Sequence, residues 1–198
     1  MHARSLTLNR SSSSFIGEGA FADVFRDQEG AAIKLFRRAA SAADLVGTRE
    51  DRDIIVRAVW ESEVTAYERA AQRPGLGRYL APYFGRRNVE AVYGADGEDI
   101  SSRYILDCAY SVAFVPGEDR KMGELMDHPL FKDIDAYLDE LRDSGICSPY
   151  DGSVFIPGLE TPFTVIDVGT WEAAAELAYA ITEKGALPDH IRARYGKR

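Results

Sequence analysis

The fold is decided by residues 14–37, whose sequence is SFIGEGAFADVFRDQEGAAIKLFR. Aromatic, β-branched and small apolar residues dominate this stretch, and turn-forming residues interrupt it at Gly17 and Gly19 and again at 28–30. Short apolar runs bounded by glycine and polar turn residues are typical of β-strands joined by tight connections. We therefore expect three short strands here, folded back and forth into the start of an antiparallel sheet.

The rest of the chain predicts helices and further strands in an order that favours an α+β fold. A helical period extends from about Asp51 to Gln72 and again from Pro129 to Ser144, and an Ala-rich helical stretch begins near Trp171. Strand-like patterns lie outside the helices, at residues 89–94, 103–115, 153–156 and 163–166. Because the strands come in groups and do not alternate with helices one for one, we expect a mainly antiparallel sheet.

Composition and charge limit the classes of function. The chain has 198 residues, of which 45% are hydrophobic, so it can fold as one domain with a packed core. Its 24 basic and 32 acidic residues give a net charge of -8, which argues against nucleic acid or an anionic membrane as a partner. The longest apolar runs are much shorter than the ~20 residues that span a bilayer, so we expect a soluble protein.

The spacing of cysteine and histidine predicts neither a disulfide framework nor a structural zinc site. Cys108 and Cys147 do not form a CxxC pair, and the three histidines lie far apart. Residues 1–13 are polar and lack the apolar stretch of a secretory signal, so we expect a flexible leader before a single domain at 14–198. A polar, Ser-rich leader is also compatible with export by a bacterial type III system.

The first motif with chemical meaning is the glycine-rich loop at 16–24. It fits the pattern G-x-G-x-x-G-x-V, with Gly17 and Gly19 in the first two positions, an alanine in place of the third glycine, and Val24 at the end. Glycines let backbone N–H groups approach phosphate oxygens, and Phe21 would cover the bound phosphates. An ordinary hairpin turn is the alternative, whereas a dinucleotide-binding loop is disfavoured because a strand follows where a helix is required.

Lys34 is the second element of the predicted site. It lies in the strand at 30–36, where every other residue is small or apolar, and it shares a face with Ala32 and Phe36. Because it costs free energy to remove a lone cation from water, this lysine needs an anionic partner. Ala-Ile-Lys is also the end of the V-A-I-K strand motif. The alternative is an edge-strand lysine whose amine reaches water.

A glutamate on the first predicted helix supplies that anion. An apolar stripe runs along this helix through Val59 and Tyr67, and Glu63 lies within the stripe. Glu61 lies instead among charged residues on the solvated face. We expect Glu63 to pair with Lys34, and Glu61 remains the alternative because the helical phase can be wrong by one residue over a short window.

Asp167 is the fourth element. It follows the apolar strand at 163–166 and precedes Val168 and Gly169, which matches the D-F-G position of kinases with valine for phenylalanine. An aspartate at this position holds the Mg²⁺ that bridges the β- and γ-phosphates of ATP. Asp-Val-Gly by itself also forms a simple turn. The ordered set of glycine loop, lysine, glutamate and aspartate therefore carries the argument.

With these four elements in order, residues 14–170 resemble a protein kinase. The resemblance implies a minimal two-lobed kinase-like fold, with an antiparallel-sheet N-lobe at about 14–115 that carries one helix, and a truncated helical C-lobe at about 116–198. It also implies ATP and Mg²⁺ as cofactors, with the adenine bound by the backbone at Phe114 and Val115. The lysine would bind the α- and β-phosphates, and the helix glutamate would hold the lysine.

The catalytic loop departs from the kinase pattern. No His-Arg-Asp is present, and the second predicted helix leads through Gly145 into CSPYDGSVFI at 147–156. In the resemblance, Ser153 stands where kinases carry a Mg²⁺-binding asparagine. Asp151 is the nearby carboxylate that would orient the substrate hydroxyl, although Asp-Gly is also a common turn.

Among kinases, the chain is similar to the HopBF type of small Ser/Thr effector kinases from plant-associated bacteria. The similarity lies in the chain length, the glycine loop, the Ala-Ile-Lys strand, the unusual catalytic loop and the short segment after Gly169. The resemblance implies secretion by a type III system into the host cytoplasm. It also implies phosphorylation and inactivation of the host ninety-kilodalton heat-shock chaperone by a monomeric enzyme.

Two other hypotheses remain beside an active protein kinase. The missing His-Arg-Asp and asparagine favour a catalytically inactive pseudokinase that binds nucleotide or a host protein. A small-molecule phosphotransferase of kinase-like fold is disfavoured, because such proteins carry a larger substrate lobe than residues 170–198 can build.

Overall fold

The computed structural model describes residues 5–11, 13–38, 48–147, 153–156, 163–170, 172 and 187–196. Its strands are β1 (Leu6–Asn9), β2 (Phe15–Glu18), β3 (Ala22–Arg26), β4 (Ala31–Arg37), β5 (Tyr83–Arg87), β6 (Val89–Tyr93), β7 (Tyr104–Ala113), β8 (Glu118–Lys121), β9 (Ile146–Cys147), β10 (Ser153–Ile156), β11 (Thr164–Val165) and β12 (Gly169–Thr170). The helices of the described residues are α1 (Arg49–Ala71), α2 (Phe131–Asp143) and α3 (Asp189–Tyr195). The predicted α+β class is confirmed.

Five of the strands form an antiparallel sheet in the order β2-β3-β4-β7-β5. The three strands expected within 14–37 are confirmed as β2, β3 and β4, and the strand expected at 103–115 is β7. In the central strand, Lys34 is paired with Val24 of β3 and with Tyr110 of β7. Because directly opposed residues of an antiparallel sheet share a face, these three side chains point to the same side.

Helix α1 covers the face of the sheet that carries Lys34. The Thr48 side chain accepts a hydrogen bond from the Asp51 N–H, and two acidic residues in the first turn suit the positive end of the helix dipole. The helix expected from about Asp51 is confirmed. Its buried side joins Phe36 and Tyr110 in the main hydrophobic core.

The opposite face of the sheet is covered by β1 and β6, which pair in parallel. Leu8 of β1 and Val92 of β6 pack with Phe25 of the sheet in a second core. The expectation of a flexible leader over 1–13 is therefore wrong for Leu6–Asn9. The strand is held by hydrogen bonds to β6, a partner distant in the sequence, and no local pattern reveals that pairing.

The chain after β7 places short strands next to the main core. Helix α2, expected from Pro129 to Ser144, is confirmed and buries Ile134, Tyr137 and Leu141. It ends at Asp143, and Gly145, two positions later, has a φ of 74°, the left-handed conformation that glycine adopts after helix ends. After this turn, β9 pairs with β12, and β10 lies between β8 and β11.

Several elements differ from the sequence expectation. The sequence did not predict β5, β8 or α3. Strand β5 contains Gly85 and two arginines and lacks clear alternation, and it is held by its pairing with β7. The Ala-rich helix expected near Trp171 lies outside the described residues. Of the helices that the structure describes, none combines the length and the apolar character needed to cross a membrane.

Candidate functional site

Lys34 lies between two carboxylates. Its Nζ is 2.9 Å from Glu63 Oε2 and 2.6 Å from Asp167 Oδ1, and its side chain is only 16% exposed. The predicted pairing of Lys34 with Glu63 is confirmed. The alternative of an edge-strand lysine is wrong, because β4 is the central strand of the sheet. Two carboxylates therefore pair with the nearly buried amine of Lys34.

Glu63 is held in place by two hydrogen-bond donors. Lys34 donates to its Oε1 at 3.0 Å, and the Tyr110 hydroxyl donates to its Oε2 at 2.6 Å. Glu61 lies on another side of α1, where its Oε1 is 3.3 Å from Arg86 Nη2. The alternative assignment of Glu61 as the partner of Lys34 is therefore wrong.

Asp167 reaches the lysine through an unusual backbone conformation. Its φ is 57°, and it is the one non-glycine residue with positive φ in the part of the chain that the structure describes. This region is disfavoured for residues with a Cβ, although aspartate tolerates it better than most. Backbone strain of this kind is concentrated at functional sites. The Asp167 side chain is 43% exposed, so its carboxylate faces solvent as well as Lys34.

The charges of this cluster shift one another's pKa values. Burial by itself would lower the pKa of Lys34, but the charges of Asp167 and Glu63 and their hydrogen bonds raise it above the ordinary value, so the amine stays protonated. Burial raises the pKa of Glu63, while the charge of Lys34 and the hydrogen bond from Tyr110 offset part of the rise. Burial and the charge of Glu63 raise the pKa of Tyr110, which therefore remains a donor.

The oxygen donors beside Lys34 fit a Mg²⁺ ion that arrives with a nucleotide. One lysine faces two carboxylates, so these three groups, when all are ionised, sum to one negative charge. Mg²⁺ prefers oxygen ligands and is usually bound by one or two carboxylates together with substrate phosphates. Asp167 offers one half-exposed carboxylate of this kind. No cluster of three or more His, Cys, Asp or Glu side chains suited to a metal occurs in the described ranges.

The glycine-rich loop joins β2 to β3 next to Lys34. The Gly19 N–H donates to the Ala22 carbonyl at 2.7 Å, and the Arg37 guanidinium donates to the Gly19 carbonyl, which closes the loop. A Cβ built on Gly17 would meet no protein atom within 4 Å, so protein packing does not require a glycine there. Open space over loop backbone is what a phosphate group needs.

The remaining predicted nucleotide contacts lie in or next to strands β3 and β7. Val24 is paired with Lys34 in the sheet. Phe21 is partly buried against the two core clusters that meet at α1. Phe114 and Val115 directly follow β7, and the Arg26 guanidinium lies 4.1 Å from the centre of the Phe114 ring. Their predicted roles in nucleotide binding stay predictions.

The described side chains do not include two predicted residues of the catalytic loop, Asp151 and Ser153. Asp151 lies outside the described residues, so its catalytic role stays a prediction. Ser153 opens β10, a strand that pairs with β11 through Val154 and Val165. Because β11 leads to Asp167, the backbone at position 153 runs beside the strand that supplies the candidate metal ligand.

Tyr110 is a member of the site that motif reasoning missed. Its hydroxyl reaches Glu63 because it lies opposite Lys34 on the same face of the sheet. The alternation of β7 indicates which residues share a face with Tyr110. The register of β7 against β4 is needed to place it beside the lysine, and a single sequence does not contain that register.

No model of a known protein family matches this chain, and no curated protein matches it at a significant level. Function must therefore be inferred from the residues that the structure brings together. Those residues are the loop glycines, Lys34, Glu63, Tyr110 and Asp167.

Proposed function

We propose that the protein transfers the γ-phosphoryl group of ATP to a Ser or Thr hydroxyl of another protein, with Mg²⁺ as the metal. The observation that carries the proposal is Lys34, held between Glu63 and Asp167 beside a glycine-rich loop. A lysine fixed by a helix glutamate, next to an aspartate that follows a strand, is the arrangement that protein kinases use. We also propose the corresponding minimal two-lobed fold, with lobes at about 14–115 and 116–198.

Each group would have a defined part in this reaction. Lys34 would bind α- and β-phosphate oxygens, and Glu63, held by Tyr110, would keep the amine oriented. The loop N–H groups would bind phosphate, and the backbone at 114–115 would bind the adenine. When bound, Mg²⁺ supplies charge neutralisation at the β- and γ-phosphates, and Asp167 would be its protein ligand. Positioning and charge neutralisation account for most of such catalysis, so few residues suffice.

The transfer also requires a group that orients the attacking hydroxyl. The hydroxyl oxygen forms a bond to the γ-phosphorus, the bond from that phosphorus to the β–γ bridging oxygen breaks, and ADP leaves. The hydroxyl proton passes to a base. By the kinase resemblance, we assign this role to Asp151. The variant Asp151→Asn should keep nucleotide binding and lose transfer, and retained transfer would move the role to another residue.

The biological setting is proposed from the resemblance to the HopBF type alone. It would be that of a bacterial effector, delivered by a type III system into a host cell. The substrate would be the host ninety-kilodalton heat-shock chaperone, whose ATPase would be inactivated. Addition of purified chaperone to the protein with labelled ATP tests this target, and absence of label on the chaperone would remove it from the proposal.

The kinase proposal is tested with γ-labelled ATP, Mg²⁺ and a eukaryotic lysate. The wild-type protein is compared with Lys34→Ala and Asp167→Ala, and the folded state of all three is checked by circular dichroism. We expect labelled protein with the wild type and none above background with either variant. Equal labelling by all three proteins would refute the assignment.

The missing His-Arg-Asp favours one second candidate, a pseudokinase that binds nucleotide without transferring phosphate. A ligand at 100 times its Kd stabilises a folded protein by about 2.7 kcal/mol. A nucleotide-dependent rise in melting temperature, without transfer to any lysate protein, would support the pseudokinase. A rise accompanied by transfer supports the kinase.

A further inference from the structure

Two side chains of helix α1 form hydrogen bonds with the region of β9 and β12, and no motif predicts these contacts. Besides Glu63, which contacts Lys34, the helix carries Ser62 and Arg69 two turns apart. Residues seven apart lie on nearly the same side of a helix. Each of these two side chains contacts one strand of the β9–β12 pair or the turn before it.

The first contact is between Ser62 and Thr170. The Thr170 backbone N–H donates to Ser62 Oγ at 2.8 Å, and the Thr170 hydroxyl lies 3.4 Å from the same oxygen. Both residues are buried, with 7% and 5% of their surfaces exposed. A buried N–H that lost its acceptor would be costly, so the contact holds the backbone of β12 at a fixed place on α1.

Gly169 makes the approach of β12 to α1 possible. A Cβ built on Gly169 would lie 2.8 Å from Ser62 Oγ, closer than such atoms normally come. The glycine is therefore required by close packing between the strand and the helix. It lies two positions after Asp167, whereas Ser62 is adjacent to Glu63. The contact thus links the two carboxylates that hold Lys34.

The second contact lies further along the same side of α1. Arg69 Nη1 donates to the Gly145 carbonyl at 2.8 Å, in the turn that precedes β9. β9 pairs with β12 through Cys147 with Gly169 and Ile146 with Thr170. The helix therefore contacts the two paired strands at two points, and its distance from Asp167 is fixed more firmly than a single contact would allow.

We propose that Ser62 is a positioning residue for phosphoryl transfer, which sets the distance between Glu63 and Asp167 by holding β12 against α1. The inference rests on the proposed kinase function. It adds that the contact with β12 fixes the position of α1 relative to Asp167. Ser62 touches neither Lys34 nor the expected phosphate site in the described contacts. Its effect passes through the helix to Glu63 and through the strand to Asp167.

The size of the effect follows from the hydrogen bond that is lost. In Ser62→Ala, the buried Thr170 N–H loses its acceptor, and α1 is free to shift against β12. Small misplacements of a catalytic group reduce rates strongly. We expect kcat to fall about tenfold, which corresponds to ~1.4 kcal/mol in the activation barrier. The KM for ATP should change less than about twofold, because Ser62 is a positioning residue and does not itself bind the nucleotide.

Two matched variants separate positioning from general destabilisation. Thr170→Val removes a hydroxyl but keeps the backbone N–H that donates to Ser62 Oγ. The kcat should therefore stay within about twofold of the wild type. Tyr137→Phe removes another buried hydrogen bond, from the Tyr137 hydroxyl to the Leu76 carbonyl at 2.5 Å, which involves neither α1 nor β12. It should lower the melting temperature and leave kcat per folded molecule unchanged.

A double variant tests the close packing directly. Gly169→Ala alone should lower kcat, because the added Cβ meets Ser62 Oγ. In the Ser62→Ala background that oxygen is absent, so the further change of Gly169 to Ala should have little added effect. If the double variant lost kcat by the product of the two single-variant reductions, the two residues would act independently. That result would contradict a shared contact between Gly169 and Ser62.

The test is a set of kcat and KM measurements on the wild type and these variants, with γ-labelled ATP and the lysate protein that the wild type labels best. A loss confined to kcat in Ser62→Ala, with Tyr137→Phe unaffected, supports the inference. Transfer by the wild type with equal kcat in Ser62→Ala overturns the inference and leaves the kinase proposal standing. No transfer by the wild type overturns the kinase proposal, and the inference falls with it.

Discussion

A buried carboxylate lies against each face of the five-stranded sheet, and the two are paired differently. Asp23 is fully buried on one side, where the Tyr104 hydroxyl donates to it at 2.6 Å. Two arginines lie 3.4 and 3.5 Å from it. Glu63 on the other side also accepts from a tyrosine hydroxyl at 2.6 Å, but its only described cation is Lys34, which it shares with Asp167.

The two clusters differ in their charge balance. Around Asp23, Arg10 and Arg37 are balanced by Asp23 itself and the exposed Glu18. Around Lys34, two carboxylates exceed one amine, and one of them is 43% exposed. A charge-balanced cluster around a fully buried carboxylate suits a structural role. A partly open cluster with surplus negative charge suits the binding of a further cation with phosphate ligands.

The largest effect should come from changing the aspartate of each cluster to asparagine. In Asp167→Asn the expected metal ligand loses its charge, so transfer should fall about 10³-fold, as when a preorganised electrostatic group is removed. Asp23→Asn should cost stability of about 1–3 kcal/mol, with transfer per folded molecule unchanged. The measurement is γ-phosphate transfer, normalised to the folded fraction. A similar loss of transfer in both variants would contradict a functional role for the Lys34 cluster and a purely structural role for the Asp23 cluster.

A smaller effect is expected from the two glutamates of α1. Glu63→Gln removes the anion that orients Lys34, and the lysine would move toward Asp167, which should lower kcat about 10²-fold. Glu61→Gln changes a partly exposed ion pair with Arg86 and should stay within about twofold of the wild type. Steady-state kinetics on both variants check this. Equal effects would mean that the identity of the helix glutamate is wrong.

The two tyrosines give a matched pair of still smaller effects. Tyr110→Phe and Tyr104→Phe each remove one hydroxyl that donates at 2.6 Å to a buried carboxylate. Both should lower the free energy of unfolding by about 1–3 kcal/mol. Only Tyr110→Phe should also reduce transfer, by about threefold to tenfold, because Glu63 then holds Lys34 less well. Equal activity in the two variants would show that Tyr110 has only a structural role.

The smallest expected effect is on the pH dependence of transfer, which should change only in the tyrosine variant on the Lys34 face of the sheet. The proposed transfer needs an ionised Glu63, so its rate should fall as pH decreases through the pKa of Glu63, which burial raises above the ordinary 4.5. The Tyr110 hydrogen bond lowers that pKa. The acid limb of kcat should therefore move to higher pH in Tyr110→Phe and stay in place in Tyr104→Phe. A shift to lower pH in Tyr110→Phe would contradict the assignment.

The local parts of the site could be predicted from the sequence. The strands around the glycine loop, the apolar setting of Lys34 and the place of Glu63 on the buried side of α1 all depend on patterns a few residues long. Burial of a charged residue among apolar neighbours implies a partner of opposite charge, so the Lys34–Glu63 pair followed from the free energy of desolvation.

The parts that escaped prediction depend on contacts between distant segments. Tyr110 needed the register of β7 against β4, and Ser62 needed the position of β12 on α1. The polar pattern of residues 1–13 does not predict the strand Leu6–Asn9, because its partner β6 is remote in the sequence. The left-handed conformation of Asp167 is likewise set by the surrounding fold.

We propose that the cluster around Lys34 binds a nucleotide together with Mg²⁺. Calorimetric titration with ATP, with and without Mg²⁺, tests it on the wild type, Asp167→Asn and Asp23→Asn. We predict that Mg²⁺ strengthens ATP binding to the wild type and to Asp23→Asn, and that Asp167→Asn loses this gain. No ATP binding by the folded wild type, or the same gain in affinity in all three proteins, would contradict the claim.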